Sequence, residues 1–293
     1  MATFPVKTIA NYIKVTKPRI VSLLVFTSFA TMVMASHLTL VNIPLWMWFS
    51  AVTAITLGCS GCNAVTCYLD RDIDAVMERT VKRPLPSGKI NPPEKALYVG
   101  LAMILLALVL AIMRNPLSFV FMLLGVLDNV VVYSMFLKRK HPLNIVLGGI
   151  SGGLPVAFGW AFVENSVNLT VVLMAGLVVL WIPNHIWSLA LRYKEDYSKA
   201  GVPMLPVVLE DEKAVRCIVS TSFLLVAFST LLSLLGSFGL VYLIIASLLN
   251  VPMVLLNLWL LARPSKNSAW TVFKFSSPYL AIVFLAMIVD TFM

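Results

Sequence analysis

The chemistry-bearing residues of this chain gather in two polar stretches. The first reads TCYLDRDIDAVMERTVKRPLPSG, and in it Asp70 and Asp74 stand four apart with Thr66 four residues earlier. On a helix these three share one stripe, while Asp72 points elsewhere. Two carboxylates held close together repel, and a divalent cation relieves that repulsion. An all-oxygen donor set suits magnesium, which keeps several waters and is completed by substrate phosphates. The competing reading is a solvated loop of mixed charge, with Asp70–Arg71 and Asp74–Glu78–Arg79 as surface patterning. The second stretch, LRYKEDYSKAGVPMLPVV, sets Arg192, Lys194 and Asp196 within five residues. An acid beside two bases can complete a metal–diphosphate site, the acid on the ion and the bases on the phosphate oxygens. The alternative for Arg192 and Lys194 is anchoring at a membrane interface.

Other polar residues fall inside apolar segments. His185 lies in PNHIWSLAL, about two turns before Arg192, and its ring needs a partner: another helix, or the iron of a porphyrin. Asp128, in LLGVLDNVVVYSMFLKRK, is either a functional carboxylate or one hydrogen-bonded between helices. With Asn129 and Tyr133 it can line a polar cavity that leads toward Lys138 and Arg139. The glycines around Gly148–Gly159 suit close helix packing. Cys59 and Cys62 have CxxC spacing without a second ligand pair, which favours packing over metal or redox chemistry.

These residues must be positioned by membrane helices. Of 293 residues 60% are hydrophobic and only 12% are charged, against about 25% charged in soluble domains. Nine segments are long enough to span a bilayer, at about 20–36, 43–66, 96–113, 117–137, 143–163, 169–191, 214–236, 239–261 and 275–292. The connections alternate in charge: 21 of the 22 basic residues fall on one side and only Arg114 on the other. Positive loops stay inside, so the N-terminus and the loops at about 67–95 and 192–213 are expected in the cytoplasm and the C-terminus outside. The net charge of +9 serves topology, not nucleic acid. The expected fold is an all-α, polytopic bundle of nine transmembrane helices forming one membrane domain over residues 1–293.

Three strings in order, NAVTCYLDRDIDAVMERTVKRPLPSG, VYSMFLKRKHPLNIVLGGISGGLPVAFGWA and WIPNHIWSLALRYKEDYSKAGVPMLPVV, resemble the UbiA-type intramembrane prenyltransferases, and within them the heme-directed branch. The resemblance implies a magnesium-dependent transfer of a farnesyl group from farnesyl diphosphate to a vinyl carbon of heme B in the cell membrane. It places Asp70 and Asp74 in the first metal motif and Asp196 in the second, with Arg192, Lys194, Lys138, Arg139 or Arg83 on the diphosphate. It places His185 at the heme pocket, and Tyr133 and Asn129 are further substrate-binding candidates. Where the family's first motif usually opens with Asn this chain has Thr66, whose hydroxyl can still ligate the ion or hold its water. Ala200 stands where quinone-directed relatives carry another Asp. A downstream heme-modifying enzyme or terminal oxidase would receive the product. The rival readings are the same fold with an aromatic acid or glycerol phosphate as acceptor, and a transporter. Against the transporter, the acids sit at the membrane edge and no matched pair of broken helices is visible.

Overall fold

A computed structural model describes residues 6–235 and 238–293, so residues 1–5, Gly236 and Ser237 lie outside the described residues. Among the described residues nine helices, or helical stretches, are long and apolar enough to cross a membrane, as the hydropathy pattern predicts. In chain order the elements are α1 (Val6–Val15), α2 (Pro18–Leu38), α3 (Leu45–Leu69), α4 (Arg71–Val76), α5 (Glu94–Arg114) and α6 (Pro116–Val126). A π-helical stretch (Leu127–Leu137) follows, then α7 (Asn144–Gly148), α8 (Ile150–Glu164), α9 (Leu169–Arg192), α10 (Lys194–Lys199) and α11 (Leu205–Val208). The chain closes with α12 (Asp211–Leu235), α13 (Leu240–Ala262) and α14 (Lys266–Thr291).

Every backbone group inside a bilayer must be satisfied within the protein, which is why the apolar segments are helical. Their association cannot rest on hydrophobicity alone, because lipid is equally apolar; close packing and interhelical hydrogen bonds take over. Gly61 on α3 and Gly100 on α5 illustrate the packing, since a Cβ on Gly100 would lie 2.9 Å from the Gly61 carbonyl oxygen. Polar ties join the later helices: Asn184 donates to Asn257 Oδ1 at 2.9 Å, and the Tyr279 hydroxyl donates to Asn250 Oδ1 at 2.8 Å. The fifth span is central, with Phe158, Trp160 and Phe162 buried in the main core.

Helix ends are closed by neighbours. Arg114 donates to the carbonyls of Phe162 and Val163 at 2.6 and 2.9 Å, and Asn115 to that of Ala161 at 2.8 Å. The single base on the base-poor side therefore caps the C-terminal, negative end of α8. Asp290 accepts from the N–H groups of Gly239 and Tyr242, closing the start of α13. Asp128 accepts from the Ser151 N–H at 2.7 Å, the inter-helix hydrogen bond that was one of its two sequence readings.

Four departures from the sequence pattern bear on the site. The N-terminal arm folds into a short helix, α1. The fourth span changes from α to π winding at Leu127, and the fifth is broken at Gly149. The second span ends at Leu69 instead of running on through Asp74, but the Asp74 N–H still bonds the Asp70 carbonyl at 2.8 Å. That helical turn keeps the two carboxylates on related positions.

Candidate active site

A cavity of about 360 Å³ opens between α2, α3, α4, the π-helical stretch, α8 and α9. Its α3 wall carries Ile55, Gly58, Cys59, Cys62, Asn63, Thr66 and Asp70. At 1.5 Å per residue that wall runs about 22 Å from the basic end of the bundle into its apolar middle. Asp70, Asp74, Arg79, Arg83, Lys138 and Tyr133 line the polar end, while Phe121, Met122, Phe158 and Trp181 line the apolar part.

Asp70 and Asp74 are buried, 5% and 4% exposed, which an unpaired carboxylate would not tolerate. Each has a base. Lys138 Nζ meets Asp70 Oδ2 at 2.5 Å, and Arg83 Nη1 reaches the two Asp74 oxygens at 2.9 and 2.8 Å. Asp70 Oδ1 is buried and accepts no hydrogen bond. Burial works against charge on Lys138, yet Tyr133 and the Asp70 carboxylate hold its pKa above the ordinary lysine value. It is a permanent cation in the physiological range.

The π winding accounts for this placement. Lys138 donates its backbone N–H to Tyr133 O, five residues back. Asn129 and Lys138 are nine residues apart, about two and a half turns of an α-helix, which would set them on opposite faces. An i→i+5 helix, with about 4.4 residues per turn, covers nine residues in about two turns. Asn129, Tyr133 and Lys138 therefore all face the cavity. Tyr133 lies directly on Gly148, where a Cβ would come within 2.6 Å of its side chain.

Other sequence candidates go elsewhere. The Asp196 carboxylate, expected on the metal, accepts from the backbone N–H groups of Glu78 and Arg79 at 3.4 and 3.2 Å and does not line the cavity. It ties the second polar loop to the first. Arg192 donates to Asn267 Oδ1 at 3.0 Å, and Lys194 pairs with Asp211 at 2.6 Å. Neither base lines the cavity. Arg139 also turns outward, forming a two-pronged pair with Asp72 at 2.6 and 2.7 Å. That hydrogen-bonded pair holds the Asp72 carboxyl down at about 2.

His185 does line the cavity. Its ring is stacked between Trp181 and Phe273, with centroids 4.3 Å away on each side, and Nδ1 lies 2.6 Å from Ser276 Oγ. The Ser276 hydroxyl also reaches the Phe273 carbonyl at 2.7 Å, and the direction of its bond to Nδ1 follows the ring's tautomer. Such a partner fixes the direction of the ring, as in ligating histidines generally.

The sequence reading passed over Arg79, Tyr197 and Lys17 as lining residues. Arg79 reaches the Tyr197 hydroxyl at 3.4 Å and stands over the Tyr193 ring. Its signal was the ERT string five residues after Asp74, and that of Lys17 was the TKP before the first span.

The donor set fits magnesium in one respect and limits it in another. Asp70, Asp74, Thr66 and Asn63 offer oxygen alone, the hard set the ion prefers, and one Asp70 oxygen is free. Among the described residues no three His, Cys, Asp or Glu side chains come together as a metal cluster. A cation here would need substrate phosphates and water to complete its shell.

Comparison with known proteins agrees with this architecture. The UbiA prenyltransferase family matches residues 23–286. A protoheme IX farnesyltransferase of Desulforudis audaxviator is 49% identical over 96% of this chain and 88% of its own length. That of Thermoplasma volcanium is 41% identical over 95% and 96%. Among solved structures, a digeranylgeranylglyceryl phosphate synthase superposes with a TM-score of 0.78 at 23% identity, covering 97% of this chain and 98% of its own. A UbiA homologue from Archaeoglobus fulgidus bound to DMAPP and Mg2+ gives 0.68 at 18% identity, covering 95% and 99%. The fold and the near full-length similarity together place this multi-pass membrane protein in the UbiA prenyltransferase family.

Proposed function

We propose that the protein transfers the farnesyl group of farnesyl diphosphate to a vinyl group of heme B, giving heme O and diphosphate, with magnesium as its cofactor. The observation that carries the reading is the shape of the cavity. Two buried carboxylates and four bases at one end lead directly into an apolar, aromatic-lined interior, which suits an anionic head on a long hydrocarbon tail. Relatives named protoheme IX farnesyltransferase, at 49% and 41% identity, support heme B as the acceptor.

Asp70 and Asp74, with Thr66, would hold magnesium, which when bound draws off the charge that builds on the departing diphosphate. Lys138, Arg83 and Arg79 bind the phosphate oxygens from the protein side and fix the allylic carbon at the mouth of the apolar region. Phe121, Phe158 and Trp181 keep water from the allylic cation, and their ring faces stabilise it. The terminal vinyl carbon of the heme supplies the electron pair for the new C–C bond. Water then adds to the adjacent carbon and loses a proton, leaving the hydroxyethylfarnesyl side chain. His185 lines the cavity and faces the acceptor.

In this reading residues 1–293 act as one membrane-embedded unit in the cell membrane. The basic end, with the loops at about 67–95 and 192–213, faces the cytoplasm, and a heme-modifying enzyme or terminal oxidase takes the product. The test is an acceptor panel. Purified protein with farnesyl diphosphate and magnesium should prenylate heme B and leave an aromatic acid and glycerol phosphate unchanged; the opposite preference overturns the assignment.

A further inference from the structure

The bases that line the cavity divide into those with partners and one without. Lys138 is paired with Asp70, Arg83 with Asp74, and Arg79 stands over Tyr193 and against Tyr197. Lys17 also lines the cavity, half-buried, and among the described residues it makes no ion pair or side-chain hydrogen bond. It belongs to a different element, the junction of α1 and α2, and Ile20 and Leu24 continue its face along α2 into the cavity.

The backbone at Lys17 has φ 53° and ψ 60°, a left-handed conformation that a lysine adopts at a cost and that stands here immediately before Pro18. It both ends α1 and begins α2, and α1 is pinned to α3 through Cys67 and the Val15 carbonyl. Such conformations persist where the surrounding structure holds them, and they cluster at ligand-binding positions. A neutral, flexible turn residue would close the same junction more cheaply.

We propose that Lys17 binds a carboxylate of the acceptor, the propionate edge of the porphyrin, and is the residue that orients the macrocycle. The inference rests on heme B being the acceptor. The chemistry favours a carboxylate over the donor's phosphates because Lys138, Arg83 and Arg79 already surround the end where Asp70 and Asp74 stand. Propionates lie on the edge of the macrocycle opposite the vinyl groups. Lys17 stands at the same end of the cavity as Asp70, since the Val15 carbonyl meets Cys67, but on the α1–α2 wall; anchoring the propionates there points the vinyl edge inward past the apolar surface of Ile20 and Leu24, toward the allylic carbon.

The experiment compares wild type with Lys17→Met, Lys17→Asn and Lys17→Arg, measuring KM separately for heme B, for the dimethyl ester of heme B and for farnesyl diphosphate, with heme binding followed in parallel by its absorption band. Asn tolerates the left-handed backbone, so it removes the charge without disturbing the turn. Loss of one charge-assisted hydrogen bond should raise KM for heme B about tenfold in both neutral variants, and Arg should restore it. The diester should bind wild type as weakly as heme B binds the variants, and the variants should discriminate no further against it. Farnesyl diphosphate KM should stay within about twofold. An unchanged heme KM, a rise in farnesyl diphosphate KM instead, or an equal loss for the diester overturns the proposal. Wild type that leaves heme B unmodified would instead overturn the assignment of the acceptor.

Discussion

Asp196→Asn separates two roles for the second polar loop. The carboxylate meets two backbone N–H groups, of Glu78 and Arg79, at 3.4 and 3.2 Å. Both are long for N–H···O bonds, so each belongs at the lower end of the range of about 1.5–3 kcal/mol for bonds to a charged partner. Asparagine has one acceptor oxygen and turns an NH2 toward the other N–H. It keeps one bond, so the loss is about 1.5 kcal/mol, roughly tenfold in the ratio of ordered to open loop. Arg79 and Arg83 ride on that loop, so amide exchange over residues 77–83 should speed up about tenfold and kcat should fall, by no more than about the same factor. Because the carboxylate lies outside the cavity, the magnesium concentration for half-maximal rate should move less than about twofold. The assay is a magnesium titration of initial rate combined with hydrogen exchange by mass spectrometry. A variant rescued to wild-type rate by excess magnesium, with unchanged exchange, would refute the loop-tie reasoning and make Asp196 a metal ligand.

Three further outcomes follow from the geometry. His185→Ala should weaken heme binding or shift its absorption spectrum while leaving farnesyl diphosphate KM near wild type, since the ring sits among Trp181, Phe273 and Ser276 away from the two ion pairs; identical heme spectra and affinity would leave it a packing residue. Gly100→Ala should destabilise the bundle by about 1–3 kcal/mol in thermal melts, because the new methyl meets the Gly61 carbonyl and Val65; an unchanged Tm would contradict the close α3–α5 approach. Asp72 has its pKa lowered to about 2 from 3.8, so the stability its pair with Arg139 contributes is fully present above the ordinary value and is lost only as pH falls through about 2. An exposed pair of this kind is worth at most about 1 kcal/mol, and a melt of Asp72→Asn should match wild type to within that amount at pH 7; a larger loss would show that the pair is not a surface one.

The sequence carries the nine spans openly, because apolar length and the segregation of basic residues are one-dimensional properties. Asp70, Asp74 and Thr66 were legible too, since four-residue spacing on a helix fixes a common face. Lys138 could be named but not aimed. Its direction depends on the switch from α to π winding at Leu127, a shift in hydrogen-bond register with no residue signature of its own. The partners of Asp196 were hidden for another reason: they are backbone groups 117 and 118 residues earlier, and backbone donors have no mark in a sequence. Arg192 and Lys194 sit at a helix end, where spacing leaves direction open. Asn267 and Asp211, brought in by distant helices, take them outward. The partner of Asp128, the Ser151 N–H, is likewise a backbone group that the sequence does not mark.

The account turns on the Asp70–Asp74 end of the cavity performing a metal-assisted farnesyl transfer to heme. The direct measurement is mass analysis of heme extracted after incubating the purified protein with heme B and farnesyl diphosphate, with magnesium or with a chelator, in wild type and in Asp70→Asn and Asp74→Asn. The account predicts a heme heavier by one farnesyl group and one hydroxyl group only for wild type with magnesium, and at most a trace in the other samples. Unmodified heme from folded wild-type protein with magnesium, or full conversion in both variants, would contradict it.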